Sequence, residues 1–489
     1  KEGKTPEEYV EYWNKRDFED FTALNIKFDF FYKTSSQENK QFVQDVFKKL
    51  EQAGHIYENE IIQLYCNTDK KFLPDRYVIG TCPYCKADDQ YSDLCEKCGR
   101  VPEEIENPHC SICGQTPTKE KTKHYFFKLK NFSNQLSQYL ENNQNLQKDV
   151  KKYVQNWIKE GLTDWDITRD ISWGIPIPVD GEKKKVFYGW FDNHLAYISS
   201  TIKFLNDSGK DGKKFWNDSD IYHFIGKDIV YHHYLFLPAM RLGISEEYKL
   251  PDYIPTRGHL TLQSKKISKS RNWYIGLKDF LGIFPADYLR FYLISINPYS
   301  QDDLNFNWDE FATKINSELI GNLGNLVNRA LGFTLKSFDG VVPDPDEFDN
   351  MDKESEKMIK EFVTELSILM EKNHLDRALK MILQFSAHFN QYFQHKEPWK
   401  NGPGTNSCVF LSVNAVRSLA IAIYPFMPDS SQKIWVQLGL EGSVSAQMFD
   451  QISNITLNQG HKLGSVSPLF EKVEESVIDE QKSKLGDSN

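Results

Sequence analysis

The chain has 489 residues, 40% hydrophobic and 14% aromatic, with a formal net charge of −10. One hydrophobic core does not serve that length, and at about 100–200 residues per domain three or four units are expected; the acidic balance excludes indiscriminate nucleic-acid coating and leaves any RNA contact to local basic patches such as Lys265-Lys266, Lys269-Arg271 or Lys183-Lys185. No stretch reads as apolar and long enough to span a bilayer, the best, Val409 to Met427, being broken by Asn414 and Arg417, and with neither a signal peptide nor an initial methionine a cytosolic (cytoplasmic) protein is expected, its first residue not the natural start.

Residues 1–60 read as the tail of an α/β unit. Thr5 to Trp13 is expected to be helical and Phe18 to Tyr32 to contain an aromatic strand. Gln41 to Gln52 should form an amphipathic helix with Phe42, Val46, Phe47 and Leu50 on one face and Gly54 at its end. No glycine-rich phosphate loop and no internal repeat occurs. The next region holds most of the cysteines. Cys82-x2-Cys85-x9-Cys95-x2-Cys98 offers four thiolates on two knuckles, the set that Zn²⁺ takes in a closed structural site. Cys110-x2-Cys113 lacks a partner pair unless Cys66 joins it with Asp69, so a second zinc site and a vestigial knuckle both stand. Such a metal folds a loop-rich insertion and leaves no position open for chemistry.

Leu146 to Glu160 reads as a helix stopped by Gly161. Val186 to Phe191 and Tyr222 to Ile225 are short apolar runs of the kind buried in a parallel sheet. The second leads into Gly226-Lys-Asp228, where a carboxylate just past a buried strand can accept both hydroxyls of a ribose, or equally serve a helix start. Lys266-Ile-Ser-Lys-Ser270 puts two cations and two hydroxyls on a short loop. That composition suits a polyphosphate, and it also suits a solvated turn. From Phe311 almost to Leu440 apolar residues recur at three and four, as in Ile315, Leu319, Leu323 and Leu326, the pattern of a helix bundle. Asp344 to Asp352 links two of its helices, and the polar tail beyond about Gly442 is expected to pack loosely.

Taken in order, Phe72-Leu-Pro-Asp-Arg76, Trp165-Asp-Ile-Thr-Arg-Asp170, His223-Phe-Ile-Gly-Lys-Asp-Ile229, Lys266-Ile-Ser-Lys-Ser270, Asn325-x3-Arg329 and Pro398-Trp399 make the chain resemble the methionyl-tRNA synthetases among class I aminoacyl-tRNA synthetases. The pentapeptide matches their KMSKS signature with Ile267 in place of Met. The resemblance implies a partial Rossmann-type parallel sheet (α/β) carrying a zinc-knuckle insertion, followed by an all-α anticodon-binding bundle. It implies ATP with Mg²⁺, methionine and a tRNA with a methionine-type anticodon as substrates and partners, and no membrane.

Residue by residue, Lys266 and Lys269 would stabilise the ATP phosphates, Ser268 and Ser270 would donate to them, and Asp228 would hold the ribose. Trp190, Tyr197, Ile229 and His233 fall where the family binds methionine, with Arg169 bordering that site, and Asn325, Arg329 and Trp399 fall on its anticodon readers. The implied divisions are 1–60 (end of the first catalytic half), 61–125 (zinc knuckles), 126–160 (rest of the insertion), 161–257 (second catalytic half), 258–310 (phosphate loop and stem contact), 311–441 (anticodon bundle) and 442–489 (tail).

Two departures modify these expectations. The family's HIGH signature is absent, and His223-Phe-Ile-Gly226 is not it, because it lies in the second half and leads into Lys227-Asp228. The chain alone is therefore expected to be a poor or dead catalyst, as a fragment or as one part whose N-terminal half is encoded separately. The pocket also differs: Asn193, His194 and Ala196 stand where the family has Ala, Pro and Gly, and His232 and Leu237 where aromatics are usual. The rival readings are a synthetase-like enzyme with another amino acid, a non-catalytic tRNA-binding protein, and a zinc-ribbon nucleic-acid binder.

Overall fold

The computed structural model describes residues 3–92, 95, 104–179, 181, 185–245, 248–269 and 271–486; Cys98, Lys183 and Ser270 lie outside them. Helix α1 (Pro6–Ala23) buries none of its side chains. It runs through Phe18 and Phe21, and no strand follows before α2 (Gln37–Gln52), so the expected aromatic strand does not form. Phe18 and Phe21 are taken up by this helix, and Phe28 to Tyr32 enters no sheet among the described residues. The chain divides into two compact units, residues 1–14 with 28–255 and residues 15–27 with 256–489.

In the first unit the Ser36 side chain caps α2 by accepting from the Asn39 N–H at 3.1 Å. One face of α2 buries Val43, Val46, Phe47 and Leu50, and Gly54 ends the segment at φ +75°, a backbone state that costs glycine least. A long hairpin follows: β1 (Ile56–Cys66) carries β2 (Lys71–Phe72) on one edge and, after β3 (Val78–Thr81), β4 (Gln90–Tyr91) and β5 (Glu106–Cys110), pairs antiparallel with β6 (Thr118–Phe127) from Ile56↔Phe127 to Tyr65↔Thr118. β4, β3 and β5 form a separate small sheet that holds the cysteine region.

Helices α3 (Ser133–Asn142) and α4 (Lys148–Glu160) come next, and Gly161 at φ +105° ends α4 as its position implies. β7 (Trp165–Asp166) extends the β6 edge, and β8 (Thr168–Arg169) pairs with β9 (Val186–Phe187). The Val186 to Phe191 run gives only those two strand residues, because Gly189 begins α5 (Gly189–Asp207), where Phe191, Leu195 and Ile198 repeat at helical spacing and are buried. After α6 (Gly212–Asp218), Tyr222 to Ile225 contributes a parallel bridge from Tyr222 to Tyr253 and the short β10 (Ile225–Gly226); a π-turn at His232–Phe236 then leads into α7 (Leu237–Gly243). Phe47, Phe127, Phe187, Phe191 and Phe236 meet in one core, each burial contributing about 1.5–3 kcal/mol.

The second unit continues with β11 (Thr256–Arg257), β12 (Leu260–Leu262), β13 (Lys265–Lys266), α8 (Leu277–Leu281), α9 (Ala286–Ser295) and β14 (Leu304–Phe306), β12 pairing antiparallel with β13 and parallel with β14. One continuous helical rod follows as α10 (Trp308–Lys314), a π-helical stretch Ile315–Gly324 and α11 (Asn325–Ser337). With α12 (Asn350–Glu371), α13 (Leu375–Lys396), α14 (Thr405–Ile423) and α15 (Pro428–Gln437) it forms the bundle.

α14 is long and apolar enough to cross a membrane by length and composition, but the core covers it on all sides. Its polar interruptions are satisfied inside the protein. Asn414 accepts from the Thr456 and Leu457 N–H groups at 3.1 and 3.0 Å and donates to Leu457 O, and Arg417 donates to Gln451 O and Asn454 O. This corrects the expectation of a loosely packed tail: Val444, Ile452, Leu457, Leu469, Val473 and Ile478 are buried in the bundle core, the last two flanking the start of α16 (Glu475–Ser483).

Candidate active site

In the first unit, α5 and the π-turn bring an indole, a phenol and four imidazoles together. Trp190 lies 4.2 Å from His232 and 5.7 Å from His194, and His194 meets His233 edge-on at 4.9 Å. His233 donates from Nδ1 to Ile229 O at 3.0 Å, so Nε2 accepts the Tyr197 hydroxyl at 3.1 Å. Tyr197 also packs on His223 at 4.4 Å. Burial pushes His194 and His223 well below the usual imidazole range, and His232 and His233 down to about 4, leaving all four neutral near pH 7. Both ring nitrogens of His194 and Nε2 of His223 are buried without a hydrogen-bond partner among the described residues. Elsewhere on α5 Asp192 is buried, and burial pushes it up to about 7, while burial draws Arg241 down to about 9.

Trp190, Tyr197, Ile229 and His233 are therefore brought together. His194 and His232, which the sequence placed at the pocket as departures from the family pattern, belong to the same group, and so does His223, to which sequence reasoning gave no role there. Trp165 was also missed; its ring sits 4.9 Å from His232 and 3.5 Å from Phe236. Arg169 is set aside from the imidazoles, with its guanidinium 3.8 Å above the Tyr188 ring, 3.2 Å from Asp166 and donating to Thr168 O. Asp228 is exposed just after β10. A Cβ on Gly226 would fall 2.5 Å from its Oδ1, so a larger residue there would require the carboxylate to move.

In the second unit the phosphate-loop candidate is two stacked turns. Gln263 and Ser264, both at positive φ, close the β12–β13 hairpin, and Ser268 and Trp273 exchange both backbone hydrogen bonds, at 2.8 and 2.9 Å, across a turn ending at Asn272. Trp273 Nε1 ties the loop down by donating to Leu262 O at 2.9 Å. Lys266 and Lys269 are exposed, and neither has an ion-pair partner among the described residues.

A polar relay on the bundle surface fixes the base-reading candidates. Asn322 Nδ2 donates to Leu383 O, so its Oδ1 accepts from Asn390 Nδ2; Asn390 Oδ1 then accepts from Asn325 Nδ2 at 2.8 Å. The Asn325 carbonyl is thereby turned out as an acceptor. One turn along α11, Arg329 donates to Gln394 Oε1 and Asn390 O, with its guanidinium 5.8 Å from the centre of the half-exposed Trp399 ring. An acceptor beside fixed donors complements the amino group, N3 and O2 of cytosine, and the indole offers a stacking face. Asn322, Asn390 and Gln394 escaped the sequence reading, although polar residues among Phe385, Phe389 and Phe393 on α13 were a usable signal.

Two cysteine clusters remain. Ligand atoms of Cys82, Cys85 and Cys95 lie within 4.8 Å of one another, and those of Cys66, Asp69, Cys110 and Cys113 do likewise. Although burial opposes it, the N–H groups of Cys85 and Tyr84 draw the Cys82 thiol down to about 7, and thiol donors from Cys110, Cys113 and Cys66 lower the Asp69 carboxyl. Both are donor sets that Zn²⁺ accepts, the second with one oxygen among three sulfurs.

A family model described as tRNA synthetases class I (M) matches residues 1–331, and one described as the anticodon binding domain of methionyl tRNA ligase matches residues 342–489. The methionine–tRNA ligase of Methanopyrus kandleri is 41% identical over 495 residues, covering 99% of this chain and 73% of the relative. That of Thermococcus onnurineus is 40% identical over 500 residues, covering 98% and 67%. Among solved structures, Mycobacterium tuberculosis methionyl-tRNA synthetase in complex with methionyl-adenylate aligns at TM-score 0.75 and 24% identity over 93% of this chain and 85% of that one. Its apo form aligns at 0.75 and 22% over 95% and 88%, and at these identities the likeness speaks to the fold.

Proposed function

Because the chain belongs to the methionyl-tRNA synthetase family of class I, we infer that it ligates methionine to its tRNA, using ATP and passing through an aminoacyl-adenylate. The methionine carboxylate attacks the α-phosphorus of ATP and pyrophosphate leaves; a hydroxyl of the terminal adenosine of the tRNA then attacks the adenylate carbonyl and AMP leaves. Lys266 and Lys269 neutralise charge on the departing pyrophosphate, with Ser268 and Ser270 donating to it, and Mg²⁺ accompanies the nucleotide. Asp228 holds the ribose. Trp190, Tyr197, Ile229 and His233 form the methionine pocket, where neutral rings suit a polarizable thioether. Trp399 stacks on an anticodon base that Asn325 and Arg329 read.

Zinc held by Cys82, Cys85 and Cys95 together with Cys98, and by Cys66, Asp69, Cys110 and Cys113, folds the insertion; thiolate sites of this kind belong to a reducing compartment, consistent with the cytoplasm. The observation that carries the reading is the match of both family models in their proper order along the chain. Pyrophosphate exchange tests it, run across amino acids with and without an added segment bearing the HIGH element. Methionine-dependent exchange once that segment is supplied is expected. No exchange with any amino acid would leave a tRNA-binding module, and a preference for another amino acid would reassign the pocket.

A further inference from the structure

His124, on β6 in the first unit, has a fully buried side chain and faces a carboxylate with each ring nitrogen: Nδ1 lies 2.9 Å from Asp166 and Nε2 3.0 Å from Asp170. Asp170 also receives the Lys185 ammonium at 2.5 Å and the Thr122 hydroxyl at 2.8 Å, and Asp166 pairs with Arg169 at 3.2 Å. Ionised carboxylates only accept hydrogen bonds, so both ring nitrogens must donate, and a ring that donates twice is an imidazolium. Charges then alternate along Arg169, Asp166, His124, Asp170 and Lys185. Burial works against ionisation at both His124 and Asp170, but the opposite charges outweigh it, raising the imidazole pKa and holding Asp170 at about 2.

This chain of charges adjoins the imidazole pocket through Trp165. Asp166 adjoins Trp165, whose ring packs on His232, and it also accepts the Thr168 N–H at 3.1 Å. Thr168 pairs with Phe187, and Arg169 covers Tyr188, the residue from which α5 departs with Trp190 and Tyr197. We propose that His124 is a positioning residue for the amino-acid pocket: as an imidazolium it fixes Asp166, and through Asp166 it fixes Trp165 and Arg169, so that the pocket wall is set before substrate arrives. The positioning role rests on the reading of that pocket as the methionine site; the charge state of the ring does not.

The groups that face the ring are Asp166 and Asp170, with Lys185, Thr122 and Arg169 behind them. Above its raised pKa the ring would turn a bare nitrogen toward a carboxylate and release the wall, so methionine binding should weaken only on the alkaline side.

The test uses the full chain and needs no turnover. With ¹⁵N-labelled histidine, both His124 ring nitrogens should show imidazolium shifts from pH 6 through 8 in the wild-type protein, with the resonance assigned through His124→Gln. Methionine affinity, followed by tryptophan fluorescence, should fall about tenfold in His124→Gln, while affinity for an anticodon stem-loop stays unchanged as evidence of folding. If His124→Gln loses both, Asp170→Asn takes its place, since it removes one of the two carboxylates and should let the ring titrate near its ordinary value. A wild-type ring that is neutral at pH 7 overturns the charged chain. An imidazolium whose loss leaves methionine affinity unchanged overturns the positioning role. A wild-type chain with an imidazolium but no methionine binding sinks the pocket reading, and with it the positioning role, and leaves the charge chain standing.

Discussion

Asn325 Nδ2 donates to Asn390 Oδ1 at 2.8 Å, and because Asn390 spends its own amide on Asn322, the donor and acceptor ends of Asn325 are not interchangeable. Cytosine and uracil differ in the exocyclic group that a fixed carbonyl meets, an amino donor in one and a carbonyl in the other. In the proposed reading role, the inner asparagine would therefore decide which pyrimidine the outer one accepts.

Removing that constraint should relax recognition without unfolding the bundle. Asn390→Ala frees the Asn325 amide to rotate, and binding of a stem-loop with the cognate cytosine is expected to weaken by about 1–2 kcal/mol, with most of its advantage over the uracil variant gone. Equilibrium binding of the two stem-loops measures this. An undiminished cytosine-to-uracil ratio would show that the relay has no part in reading.

The proposed reading head was partly legible in the sequence and partly not. Asn325 and Arg329 are four apart on a helix, and Trp399 follows a proline, so local spacing exposes all three. Asn390 and Asn322 act through contacts across the bundle, which no local period records. The imidazole group shows the same division: Trp190, His194 and Tyr197 share one helix face, whereas His223, His232 and His233 arrive from a later segment, and only the fold joins the two sets. The expected aromatic strand failed because α1 takes Phe18 and Phe21, while the alternating Phe28, Phe30 and Tyr32 find no pairing strand among the described residues, which no local period records. The tail was misjudged because its anchors are apolar residues spaced irregularly through a polar stretch, and they meet polar groups of α14 that looked like interruptions.

Trp399 is half exposed and contributes little to the core, so its loss should fall on binding. Trp399→Ala is expected to weaken tRNA binding by about 1–3 kcal/mol, and Trp399→Phe by clearly less, because a smaller ring still stacks. Thermal melting should stay within a degree or two of wild type, as for other surface substitutions. A large drop in melting temperature would mean that the indole supports the fold; unchanged affinity would remove it from the reading surface.

The tail beyond Gly442 should behave as part of the bundle. Ile452→Ala, at a buried site beside α12 and α14, is expected to lower stability by about 2–5 kcal/mol, the usual loss for a large aliphatic cut to alanine in a packed core. Chains ending at residue 442 should unfold at markedly lower urea concentration. A truncated bundle with an unaltered midpoint would restore the view of a loosely held end.

Metal analysis separates the two cysteine clusters. The intact 489-residue chain is expected to carry two zinc ions, one of which is removed by a chelator first, because the Cys66, Asp69, Cys110 and Cys113 set has an oxygen donor in place of a fourth thiolate. Asp69→Cys should slow that first loss and leave the second unaffected. Chelation should unfold only the insertion, since each metal organises the segment that holds it. A single zinc per chain, with Asp69→Cys raising the count to two, would identify the second set as a vestige.

Asp192 makes stability depend on pH with a definite sign. Burial raises its folded pKa from 3.8 to about 7, with the N–H groups of Asn193 and its own residue opposing the rise, and Oδ1 has no hydrogen-bond partner among the described residues. Between those values the native state keeps a proton that the unfolded chain has released, so stability falls as pH rises through this window. The penalty is absent below the unfolded pKa and complete above the folded one. Asp192→Asn removes it and should be more stable than wild type at pH 8 by about 1–4 kcal/mol, the difference vanishing near pH 4. Urea midpoints at the two pH values measure this; an asparagine variant less stable at pH 8 would mean that the ionised carboxylate has a native partner.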